Sequence, residues 1–95
     1  MAKVKINNIE YEIGSLKLKD VKDIQRQKDK LKLDDFDYNS YALWYVINKH
    51  NPDKLSTWKD FDDAIDIGDF ADIQQKIMEG SGLDKYFNTG IGKKL

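Results

Sequence analysis

The chain begins with two short alternating arms. In KVKINNIEYEI, Val4 and Ile6 on one side of Asn7-Asn8, and Ile9, Tyr11 and Ile13 on the other, are apolar at every second position. Asn tolerates the positive φ that a two-residue hairpin turn demands of its central residues. A turn there sets Ile6 opposite Ile9, Val4 opposite Tyr11 and Ala2 opposite Ile13 on one face, with Lys5 opposite Glu10 and Lys3 opposite Glu12 on the other. A slip of one residue would lose both the apolar face and the charge matching, so two independent patterns select one register. Two strands alone are marginal in water, so the apolar face needs helices, or strands of another chain, to cover it.

After Gly14-Ser15 the period changes. Leu18, Val21, Ile24 and Leu31 fall at helical spacing, which predicts an amphipathic helix over 18–31. The polar stretch LDDFDYNS offers Asp37, Asn39 or Ser40 as N-cap of a second helix reaching about Lys49, where HNPD closes it. By periodicity alone YALWYVI at 41–47 also suits a buried strand, but the cap residues before it and its length favour a helix. Ser56 or Thr57 can cap a third helix, with Trp58, Phe61 and Ile65 on one face and a stop near Gly68. Asp69 opens a fourth, in which Phe70, Ile73, Ile77 and Met78 recur at helical spacing and Gly80 supplies the left-handed residue at the end. The remainder, SGLDKYFNTGIGKKL, reads as a loose tail with Tyr86 and Phe87 packed back. The fold class is α+β: an N-terminal β-hairpin followed by about four α-helices in a single domain over 1–84, with a flexible C-terminal tail over 85–95.

At 95 residues with 40% hydrophobic content, the chain supports one core. It has no cysteine, which removes disulfides, thiolate metal sites and cysteine nucleophiles and fits a reducing compartment. The run at 41–47 is far shorter than the roughly 20 residues that span a bilayer, and MAKVKINN lacks a signal peptide's apolar stretch. A soluble, cytoplasmic protein with no membrane contact is expected. Charge is unevenly placed: nine Lys or Arg against five Asp or Glu before Asp34, and seven against twelve from there on. Such polarity suits a charged partner or head-to-tail association of copies into a homo-oligomer.

The acidic stretch DFDDAIDIGD is the place to look for chemistry. If Gly68 were the glycine of a calcium loop, the ligand positions would be Asp63, Ile65, Ile67 and Gln74, and three of these four cannot serve. As a helix, the stretch sets Asp62, Asp63 and Asp66 opposite Trp58, Phe61 and Ile65, a solvated face, with Asp69 at the next helix's positive end. His50 is the only histidine and sits in a helix-ending turn, with no base, nucleophile or ligand set at a useful spacing. Gly80, Gly82, Gly90 and Gly92 match no phosphate loop. No catalytic residue, metal ligand or cofactor is expected, and the chain reads as a non-enzyme. Lysines at 17, 19, 22, 28, 30 and 32 with Arg26 could follow phosphates, but Asp20, Asp23 and Asp29 interrupt them and the chain holds a single arginine. Nucleic acid is a weak expectation as partner.

The hairpin, the lysine-rich helix, the aromatic helix and then TWKDFDDAIDIGDFADIQQKIMEGSGL together resemble the small tail assembly chaperones of long-tailed bacteriophages, as found in phages and prophages of Gram-positive bacteria. The residues that carry the likeness are Trp58, Phe61, Gly68, Asp69, Ile73 and Ile77. The resemblance implies a non-enzymatic protein that coats the helical tape measure protein, recruits tail tube subunits and self-associates. The aromatic residues Tyr41, Trp44, Tyr45, Trp58 and Phe61 are the candidate partner-binding surface, against the plainer reading that they face the core. Two other readings stand beside it: a small nucleic-acid-associated regulator using the lysine-rich helix 17–32, and a structural phage adaptor. The resemblance also gives meaning to Gly92-Lys93-Lys94, which a G-run followed by an A-run can encode, the kind of site at which ribosomes slip to make a longer second product.

Overall fold

The computed structural model describes residues 2–87. Strands β1 (Ala2–Ile6) and β2 (Ile9–Ile13) pair antiparallel in the expected register, Ile6 with Ile9 through to Ala2 with Ile13. Asn7 and Asn8 have φ of 53° and 66°, the pair of positive values that a type I′ turn requires. On the outer face the ion pair forms diagonally, Lys3 Nζ to Glu10 Oε1 at 3.3 Å, rather than directly across. On the inner face Val4, Ile6, Tyr11 and Ile13 are all buried.

The helices provide the cover. They are α1 (Leu18–Leu31), α2 (Asp35–His50), α3 (Trp58–Ala64), α4 (Ile67–Ser81) and α5 (Leu83–Phe87). Helix α4 lies mainly on β1 and α2 on β2. Leu43, Val46 and Ile47 of α2, Phe61 of α3, Ile73 and Ile77 of α4 and Leu83 of α5 close one core with the hairpin. Burying one such side chain is worth about 1.5–3 kcal/mol, so a few of them supply what an isolated hairpin lacks. Helix α1 stands outside this core and packs on α2 through Ile24, Tyr38 and Ala42.

The free edge of β2 is covered by polar side chains from the turn after α2. The Asn51 carboxamide accepts from Glu12 N–H at 3.1 Å and donates to Glu12 C=O at 2.8 Å. Lys54 Nζ donates to Glu10 C=O at 3.3 Å. With Glu12 N–H, Glu12 C=O and Glu10 C=O taken, this edge is a poorer template for a further strand.

Several expected boundaries move. Helix α2 starts one turn earlier than Asp37, Asn39 or Ser40 as caps would allow: Asp34 is the N-cap and accepts from Asp37 N–H at 2.8 Å. Helix α3 is capped by Thr57 in a reciprocal box with Asp60, as one of the two proposed caps allows, but it ends at Ala64, not near Gly68. Asn7 caps this end: its Nδ2 donates to Ala64 C=O at 2.7 Å, satisfying one of the carbonyls that a helix end leaves without an intrahelical partner. Asp66, expected on the face of α3, instead begins α4, so Gly68 lies in the first turn of α4. Gly80 is not the left-handed terminal residue; Gly82 is, with φ of 87°. A fifth, short helix at Leu83–Phe87 crosses the expected domain end at 84. Residues 88–95, including Gly92-Lys93-Lys94, lie outside the described residues.

Candidate docking surface

Of the five aromatic candidates, the structure brings Tyr41, Trp44 and Trp58 together. Tyr41 packs against Trp44 at 5.4 Å between ring centroids and edge-on against Trp58 at 5.5 Å. All three are half-buried. Their polar ends are engaged within the fold: Trp44 Nε1 donates to Leu55 C=O at 2.8 Å, and Trp58 Nε1 donates to Ser40 Oγ at 2.9 Å, while Ser40 in turn donates to Asp62. The two indoles therefore fasten α2 to the loop before α3 and to α3 itself. Tyr45 faces the other way, toward α1, where its hydroxyl donates to Asp20 at 3.2 Å. Burial, with the Asp20 charge beside it, pushes the Tyr45 hydroxyl up to about 12. Phe61 is 1% exposed and lies in the core, so it supports a surface from beneath and presents nothing to a partner.

The acidic stretch divides into separate local roles. Asp60 completes the cap of α3, Asp63 pairs with Lys59 at 2.8 Å, Asp62 accepts from Ser40, and Asp66 and Asp69 open α4. Among the described residues no three His, Cys, Asp or Glu side chains gather as a ligand set. A polar cleft of about 440 Å³ does run between the hairpin turn and α4, but its walls mix Lys5 and Lys76 with Asp66, Asp69 and Asp72. His50 ends α2 with its ring packed on Gly14, where an added Cβ would stand 2.5 Å from the ring, and Nε2 has no hydrogen-bond partner.

On α1 the basic character is partly used internally. Arg26 pairs with Asp23, and Lys28 Nζ sits 4.6 Å above the Tyr38 ring. Asp20 is buried and receives Lys49 of α2, the Lys17 N–H at 2.8 Å and the Tyr45 hydroxyl. Burial alone would raise the Asp20 carboxyl, but these donors outweigh it and hold the group below its ordinary value.

A second surface was not visible in the pattern. Phe36 is 64% exposed and Ile67 79% exposed. Phe36 stacks on Phe70 with ring centroids 6.0 Å apart and planes 10° from parallel. Between them runs a groove of about 170 Å³, with Phe61 and Ile65 in its lining and Asp37, Ser40 and Asp62 as its polar members. In sequence, Phe36 lies inside DDFD and Ile67 between Asp66 and Gly68, so each looks like a stray apolar residue in a polar run. Phe36 stacks on a residue of another helix, and Ile67, three positions before Phe70, falls outside a helix expected to open at Asp69, so neither joins an expected stripe.

Among the described residues no helix is long and apolar enough to cross a membrane. Comparison of the chain with protein-family models, with curated proteins and with solved structures gives no match.

Proposed function

We propose that this chain is a non-enzymatic, protein-binding assembly factor that acts in the host cytoplasm as a phage tail assembly chaperone, holding the tape measure protein and bringing tail tube subunits to it. The observation that carries the reading is the exposed pair Phe36 and Ile67, with Phe36 stacked on the half-buried Phe70. Large apolar side chains left together on the surface of a small domain mark a site for another protein. The sequence likeness around Trp58, Phe61, Gly68, Asp69, Ile73 and Ile77 supplies the kind of partner. Small size, a β2 edge partly occupied by side chains and a charged surface suit a protein that must shield an aggregation-prone helix without aggregating itself.

The test is co-expression with the product of a long, helical reading frame adjacent to this gene. The chaperone reading expects that protein to become soluble and to elute with this chain in a defined ratio. If its solubility does not depend on this chain, or if no such frame lies nearby, the reading fails.

A further inference from the structure

The geometry points to the groove between the start of α2 and the α3–α4 junction as the seat of a short amphipathic helix from a partner protein, one whose apolar residues are flanked by Lys or Arg. This rests on the reading of the chain as a protein-binding factor and goes beyond it by naming the site and the chemistry of what it takes.

The groove has an apolar interior and an acidic surround. Phe36 and Ile67 stand open to solvent, with the half-buried Phe70 beside them, around a space that would hold several water molecules. Asp37 and Asp62 line it, and Asp34 and Asp35 lie just before Asp37 in sequence. Among the described residues none of these four carboxylates is in an ion pair, and no Lys or Arg lines the groove. An apolar ligand with acidic flanks would meet this field as repulsion, and one with basic flanks as attraction. A helix laid in a groove presents side chains at i, i+3 or i+4 and i+7, which places two or three apolar groups within reach of the Phe36–Phe70 stack.

The lysine-rich α1 of a second copy is a poorer fit. Its exposed apolar residues are Leu18 and Leu31, 13 positions and so about 20 Å apart along the helix, while Ile24 between them is buried against α2. It can offer the groove one leucine at a time.

The experiment is a nitrogen-15 NMR titration of the full chain with two synthetic peptides of about 14 residues. Both carry leucines at the same helical spacing, with lysine filling the polar positions of one and glutamate those of the other. The Leu/Lys peptide is expected to shift amides around Phe36, Ile67 and Phe70, and the Leu/Glu peptide to bind far more weakly. Phe36→Ser and Ile67→Ser, at exposed positions and with folding checked by thermal melting, should each weaken the Leu/Lys peptide by about tenfold. Shifts confined instead to the Tyr41, Trp44 and Trp58 cluster would overturn the groove assignment while leaving the protein-binding reading standing. The assignment also falls if neither peptide binds or both bind equally. It falls too if the groove amides move on dilution without peptide, the mark of a second copy, or on deletion of residues 88–95, the mark of the chain's own Ile91-Gly-Lys-Lys-Leu end.

Discussion

Gly80→Ala sets two effects of known size against each other in one helix. Gly80 lies inside α4, and replacing an interior helical glycine by alanine ordinarily gains about 1 kcal/mol. An alanine Cβ here would stand 2.8 Å from Ile13 Cγ2, 2.9 Å from Ala2 Cβ and 3.2 Å from Ile13 Cβ. Carbon atoms in contact prefer about 3.5–4.0 Å. The Ile13 methyl could rotate aside, but the two β-carbons are fixed to their strands, so α4 would have to retreat from the hairpin it covers. Overpacking of this kind costs about 1–3 kcal/mol, and the net change is a loss of about 1 kcal/mol. Gly68, in the first turn of the same helix, provides the control, because nothing lies within 4 Å of its added Cβ. Gly68→Ala should therefore stabilise by about 0.5–1 kcal/mol. Urea unfolding followed by circular dichroism reads both variants; for a domain of this size each kcal/mol also moves Tm by about 4–8 °C. The two substitutions should shift the midpoint in opposite directions at constant slope. If Gly80→Ala stabilises as much as Gly68→Ala, the close approach of α4 to the hairpin is refuted.

Asn8→Gly should leave stability within about 0.5 kcal/mol, since glycine accepts the positive φ, whereas Asn7→Gly should cost about 1 kcal/mol through the lost bond to Ala64 C=O; equal effects in denaturant titration would contradict the tie. Asp20→Asn should cost about 2–3 kcal/mol at neutral pH, less than a fully buried pair because Lys49 can reach water. Because the folded Asp20 carboxyl sits below its ordinary value of 3.8, its contribution is complete above that value and is lost as pH falls through the folded value. The stability gap between wild type and Asp20→Asn should therefore be widest at neutral pH and close in acid, and a gap that widens in acid would be the wrong sign. Copies should associate weakly through the basic α1 side and the acidic later helices, so sedimentation should show less association at 0.5 M salt, roughly the range in which surface charges are screened within a few Å; a strict monomer at high concentration and low salt would contradict it.

What could be read from the sequence was whatever local spacing determines. The hairpin register needed only residues 2–13, because apolar and charged partners agreed, and α1 kept its expected bounds because one stripe defines it. The α3–α4 junction falls earlier than expected because Gly68 looks like a stop, while the actual end at Ala64 is capped by Asn7, 57 positions away. Gly80 and Gly82 compete for the same end; locally either could be the left-handed residue, and only the hairpin lying against Gly80 decides. The aromatic candidates were correctly placed on α2 and α3, yet their roles depended on partners such as Leu55 C=O and Ser40 that no periodicity reveals. Phe36 leaves no pattern because its aromatic partner, Phe70, lies on another helix, and Ile67 leaves none because a helix expected to open at Asp69 does not reach it.

The cover of the hairpin by α2 and α4 has a consequence for the order of events during synthesis. The strands are complete once Ile13 has been made, but their core closes only with residues as late as Leu83. At about 5–20 residues per second, the ribosome needs on the order of several seconds to make the 70 residues from Gly14 to Leu83. Over that interval the nascent chain carries Val4, Ile6, Tyr11 and Ile13 without their final neighbours. The first structure that the chain can form locally is thus among the last to become secure, and a variant that slows or weakens α4 should be felt first as nascent-chain aggregation or proteolysis.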